Sequence, residues 1–185
     1  MEARIPRGRA WSGEFELNPS EIVKQAGGGE NELTLPGADL IELLRATLAK
    51  GMPFRFRATG SSMHPFIKHG DVIIVSTYAD ASPSLGDVVA IVQQGTEKLV
   101  IHRIVGRKRN TCLVKGDNTT GIEGPIPRAN ILGYVKSVER NDKKVLLGLG
   151  PERFLIALLT RANLTIPLVR LAVKLLRSLH TMITL

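Results

Sequence analysis

The stretch ATGSSMHPFIKHGD, residues 58–71, sets Ser61 and Ser62 between Gly60 and Met63, with Pro65 just beyond and Gly70-Asp71 closing the segment. A serine hydroxyl becomes a nucleophile at neutral pH only on a rigid turn, beside a general base and near donors for a developing oxyanion. Gly60 admits backbone angles closed to other residues, Pro65 stiffens the chain after the serines, and Met63 can fill an apolar pocket that orients Ser62. The base is offered by His102 in the apolar run LVIHRIVG (99–106), where a titratable ring needs a partner. Third comes Asp117 in VKGDNT (114–119), which follows Gly116 at a strand end and could orient and stabilise an imidazolium. Such a set performs acyl transfer. Each member also has a plainer reading: Ser62 as a turn residue, His102 as a satisfied core histidine, Asp117 as the head of an Asx-type turn.

Other titratable groups carry less. His64, two residues after Ser62, competes as a base. A metal pair of His64 and His69 lacks a third ligand at sensible spacing, so no metal or other cofactor is expected. Asp71 and Asp87 each follow a glycine at a strand start and read as structural turn residues, while Lys68, Lys98 and Lys115 read as solvated charges. Cys112 is the single cysteine, so no internal disulfide can form, and its valine and leucine neighbours make it a small core hydrophobe. RKRN (107–110) reads as an exposed hairpin tip.

The elements that must hold these residues are set by the apolar pattern. Residues 1–36 are polar and rich in Gly, Pro and Glu, an arm with a short helix over NPSEIVKQA at most. Within a segment at 37–52, ADLIELLRATLAKG (38–51) sets Leu40, Leu43, Leu44 and Leu48 at helical spacing and stops at Gly51. Residues 53–150 turn to short valine- and isoleucine-rich runs that predict strands near 54–58, 71–76, 86–93, 98–106, 111–115, 131–139 and 143–148, with Asn141-Asp142 as a hairpin turn. DVIIV and DVVAIV do not alternate, which predicts burial on both faces. Residues 151–185 return to helix, broken near Pro167. There Arg170, Lys174 and Arg177 share one face against Leu, Val and Ile, the pattern of a basic amphipathic helix in a membrane interface or of a helix packed on the β domain. The fold class is mainly antiparallel β with flanking α-helices, α+β overall.

Taken together, four segments resemble signal peptidase I, a family related to the self-cleaving SOS repressors. GSSMHPFIKHGDVIIV is similar to the family's serine box, GDVVAIV to the strand after it, HRIVG to the base box and KGDNT to the aspartate box, in the family's order. Bacterial-type members carry lysine in the base box. His102 before Arg103 is closer to the endoplasmic-reticulum and archaeal type, with serine, histidine and aspartate. The resemblance implies Ser62 as nucleophile, His102 as general base and then acid, and Asp117 as orienting carboxylate, supported by Met63 and Arg103. It implies a leader or signal peptide substrate, cut after small residues. Gly60 stands where many bacterial-type members have a second serine that assists the oxyanion, leaving Ser61 as a fallback nucleophile or oxyanion aid.

The net charge of +8 and a pI near 10 favour acidic partners. The basic C-terminal helices make an anionic membrane surface the expected one, and nucleic acid is not expected because no helix-turn-helix precedes the β domain. MEARIPRGRAWSGEFELNPSE has no apolar run of signal or anchor type, and no span reaches the roughly 20 apolar residues of a transmembrane helix. The expected location is therefore peripheral, on the cytoplasmic side of a membrane. Two other functions compete with the peptidase: a catalytically weak peptide- or membrane-binding module of the same fold, and a self-cleaving DNA-binding regulator.

Overall fold

The computed structural model describes residues 37–78, 81–93, 96 and 98–183. The arm at 1–36 and its candidate short helix lie outside them.

Eight strands form one antiparallel sheet in the order β1-β2-β7-β3-β4-β5-β6, with β8 on β7. They are β1 (Phe54–Arg57), β2 (Val72–Ser76), β3 (Val88–Gln93), β4 (Lys98–Lys108), β5 (Thr111–Lys115), β6 (Glu123–Pro127), β7 (Ile131–Arg140) and β8 (Lys143–Lys144). Among the described residues three α-helices accompany the sheet: α1 (Gly37–Ala49), α2 (Arg153–Arg161) and α3 (Thr165–Ile183). The architecture is mainly β, with helices flanking the sheet.

Burial on each strand follows its position. β3 is buried on both faces over Val88–Ile91, as its unbroken apolar run predicts. β2 departs from that expectation: Ile73 and Val75 are fully buried, whereas Val72, Ile74 and Ser76 are only half-buried, because helix cover falls on one face alone. Alternation along β3 separates two cores. Val88 and Ala90 join Leu44, Leu48, Met63, Ile73 and Val75 on one side; Val89 and Ile91 join Ile104, Cys112, Val114 and Ile126 on the other.

Turn chemistry agrees with the sequence in most places. Asn141 and Asp142 both have positive φ, 50° and 59°, the geometry of a two-residue hairpin loop. RKRN is the exposed tip between β4 and β5. Helix α1 buries Ile41, Leu44 and Leu48 and is followed by Gly51 at φ 72°.

Three features depart from the pattern. β6 contains Gly124, Pro125 and Pro127, residues that break ladders; it survives as a strand because it lies at the sheet's edge. The strand expected at 143–148 is cut to Lys143–Lys144, since the chain then leaves the sheet and the Gly148 and Gly150 amides bond to Glu152. Finally, the C-terminal helix breaks at Asn163, which sits at φ 61°, and not at Pro167, which the first turn of α3 accommodates.

Candidate active site

The turn bearing Ser62 is fixed at both ends and from beneath. Ala58 donates its amide to the Asp71 carbonyl and Gly70 donates to the Ala58 carbonyl, so the segment leaves and rejoins β1 and β2 at one point. Met63 and Ile67 are buried in the core below. Gly60 takes φ 85°, a region open to glycine and costly for other residues, and so turns the chain into Ser61. Ser62 is half-buried, and Ser61 and His64 are exposed.

A second turn, Gly116–Thr119, docks on the first. Asn118 donates its backbone N–H to the Ser62 carbonyl at 2.7 Å and its side-chain amide to the Ser61 carbonyl at 3.2 Å. The approach leaves no room at Gly116, where an added Cβ would stand 2.7 Å from the Ser62 carbonyl oxygen and 3.1 Å from the Ser62 Cβ.

His102 lies on β4 of the sheet. The last ladder pair between β4 and β5 is Arg103 with Lys115, and His102 lies one residue beyond it on β4, where it pairs with Val89 of β3. The imidazole is 4% exposed, and its Nδ1 lies 3.1 Å from Glu123 Oε1 on β6, off the line of a hydrogen bond. Burial pulls the His102 pKa below its ordinary value, although the charges of Glu123 and then Asp117 push it up. Desolvation outweighs the two carboxylates, so burial favours the neutral ring.

Asp117 is committed elsewhere. It accepts from Arg103 Nε at 2.8 Å and from Arg103 Nη2 at 2.7 Å, and from the Thr160 hydroxyl of α2 at 2.9 Å. The reason is strand parity: His102 and Arg103 are adjacent on β4 and point to opposite faces, and Asp117 lies with Arg103. Both charged side chains of that pair are fully buried, and Arg103 also donates to the Gly86 and Gly148 carbonyls. An orienting contact from Asp117 to His102 is therefore replaced by a structural pair on the other face. The carboxylate beside His102 is Glu123, which sequence reasoning missed. It opens a Gly-Pro-rich segment that reads as loop, and only the Val114–Glu123 pairing brings it back to the site.

Lys115 corrects another expectation. It is 1% exposed, and its ammonium donates to the Thr160 carbonyl at 2.6 Å and to the Asn163 side chain. Burial pushes its pKa down against the pull of Asp117. Asp71 and Asp87 are turn residues that also hold distant groups. Asp71 pairs with Arg140 at 2.7 and 2.8 Å, while Asp87 accepts from Tyr78 and the Ser84 amide. Cys112 is buried in the second core. Among the described residues no group of three His, Cys, Asp or Glu side chains could hold a metal ion.

A cleft of about 300 Å³ opens beside Ser62, lined by Phe56, Ala58, Met63, Leu99, Ile101 and Leu40 of α1, among others. Two larger hollows, near Tyr78–Asp87 and near Asp71–Arg140, do not include Ser62, so size does not mark the site. β1 ends the sheet, and residues 98–102 of β4 pair with β3 alone among the described strands. Two strand edges without a ladder partner thus border the cleft.

No curated protein matches the chain. The model of the Peptidase S24-like family matches residues 21–145, about two thirds of the chain and the part that holds Ser62, His102, Asp117 and Glu123. With its serine-peptidase type of fold, the chain belongs to the Peptidase S24-like family.

Proposed function

We propose that the protein is a serine endopeptidase of the signal-peptidase kind, cutting a leader or signal peptide after small residues through an acyl-enzyme. Ser62 Oγ attacks the scissile carbonyl while His102 takes its proton. The Ser62 backbone N–H meets the developing oxyanion. His102 then protonates the leaving amine, and a water that it deprotonates hydrolyses the ester. With Nδ1 turned to Glu123, Nε2 is the nitrogen left for the hydroxyl, and Glu123 stabilises the imidazolium of each transfer. Asp117 acts at one remove: through Arg103 and Thr160 it holds the turn on which Ser62 rests.

The observation that carries this reading is the buried His102 with a carboxylate 3.1 Å from its Nδ1, in the same domain as a serine turn held in place by the Gly116–Thr119 turn. The substrate reading is supported by the cleft. Its apolar lining and small volume suit short apolar side chains, and the strand edges beside it suit an extended peptide held by main-chain hydrogen bonds.

A panel of leader peptides with small residues before the scissile bond, read by mass spectrometry, tests it. Cutting by the wild type that persists in Ser61→Ala and disappears in Ser62→Ala and His102→Ala supports the reading. Cutting that survives Ser62→Ala sinks it. If peptides bind in the cleft and are never cut, the module that binds without cleaving is the better account. One feature favours a self-cleaving variant of the same chemistry: Leu40, in the first turn of α1, lines the cleft. Intact mass of the full chain during the assay separates the two, since self-cleavage shortens the enzyme itself.

A further inference from the structure

Helices α2 and α3 divide their surfaces unequally. α2 buries Ile156, Ala157 and Thr160 against the sheet and leaves Leu155 60% and Leu158 55% exposed. α3 is exposed along Leu171–Ser178, with Leu171, Leu175 and Leu176 at 52%, 56% and 66%. At about 100° per residue, the apolar positions of α3 cover roughly 220° of its circumference, and Arg170, Lys174 and Arg177 fall together in the remaining strip. An apolar arc that wide, left exposed along Leu171–Ser178, is not covered by the domain it belongs to.

We infer that the outer faces of α2 and α3 dock on an anionic lipid surface, with their leucines in the acyl boundary and their cations among the headgroups. Three observations select lipid over a second copy of this chain or another protein. From Arg153 to the end the sequence holds five Arg and Lys residues and no acid, so two copies meeting here would set cation against cation. The cations are grouped beside the leucines, the arrangement of an interfacial helix. No single helix among the described residues is long and apolar enough to cross a membrane, whereas α2 and α3 together reach the length and apolarity of a span but are bent by 112°. A pair bent so sharply fits against one leaflet. The surface is also joined to the site: Thr160 and Asn163 bond to Asp117 and Lys115, so docking would hold the cleft at a fixed height above the lipid.

The test is flotation of the full chain with phosphatidylcholine vesicles, with and without phosphatidylglycerol. The expected result is binding at least tenfold stronger to the anionic vesicles and weakened by salt. Replacing Arg170, Lys174 and Arg177 together with Gln should remove the anionic preference. The double variant Leu171→Asp and Leu175→Asp should not float, while keeping the thermal transition of the wild type, because neither side chain is buried. Ser62→Ala should float like the wild type, which separates this result from any failure of the peptidase. Failure to float with anionic vesicles, or flotation unchanged in the double Asp variant, overturns the inference. So does a dimer, seen by light scattering, that the double Asp variant dissolves.

Discussion

At the scale of single residues, the consequential choice is which carboxylate serves His102. Both candidates raise its pKa, Glu123 more than Asp117, and burial outweighs them. The base form therefore persists below the ordinary histidine value of 6.5, and activity should hold at pH 6.5 and fall only as pH drops through the lowered pKa. Glu123→Gln removes the larger upward push, so the acid limb of kcat/KM should move to still lower pH. The loss of imidazolium stabilisation should cut kcat by about 100-fold or more. A pH-rate profile checks both, and an acid limb that stays where it is would show that Glu123 does not act on His102. Asp117→Ala acts differently. It leaves the Arg103 guanidinium buried with no carboxylate, and urea unfolding should show a loss of about 3–5 kcal/mol.

At the scale of elements, the site depends on two turns pressed together. Gly116→Ala inserts a Cβ against the Ser62 carbonyl and Thr119, pushing the nucleophile's turn out of its place. Activity should fall by about 100-fold, the loss typical of a displacement near 1 Å, with the far-UV circular dichroism unchanged. Gly121→Ala in the same loop meets nothing within 4 Å and should leave activity as it is. Much of this scale was legible in the sequence. The serine turn, the histidine strand and the Gly-Asp turn announce themselves through glycine, proline and apolar runs, each of which acts within a few residues. β6 was not legible, because its prolines argue against a strand and only the edge position tolerates them. The break at Asn163 was hidden for a similar reason: the residue that ended α2 was an ordinary asparagine, while the conspicuous Pro167 fitted a first helical turn.

Acid stability belongs to the molecule as a whole. Burial pushes the Asp71 carboxyl up, but hydrogen bonds from Arg140 and the Lys68 amide, with the charges of both residues, bring it below the ordinary value of 3.8. The amide of Gly148 leads the groups that hold Glu152 down as well. Both carboxylates thus favour the folded state above their unfolded values and lose that contribution as pH falls through their lowered ones. Arg140→Gln should raise the midpoint of acid unfolding followed by circular dichroism; an unmoved midpoint would mean that Asp71 is held down by other groups. Across the molecule, the sequence by itself determined the strand runs other than β6 and the shortened β8, the hairpin at Asn141-Asp142, the helix read over 38–51, the serine turn and the burial of His102 and Cys112. Hydrophobic period and turn preference are local properties that survive most tertiary contexts. Only the tertiary structure decided that Asp117 grips Arg103, that Glu123 faces His102, and that Lys115 is buried beneath α2. Those outcomes rest on strand parity and on ladders joining segments far apart in the chain, where the requirement to pair every buried charge overrides what a residue's immediate neighbours imply.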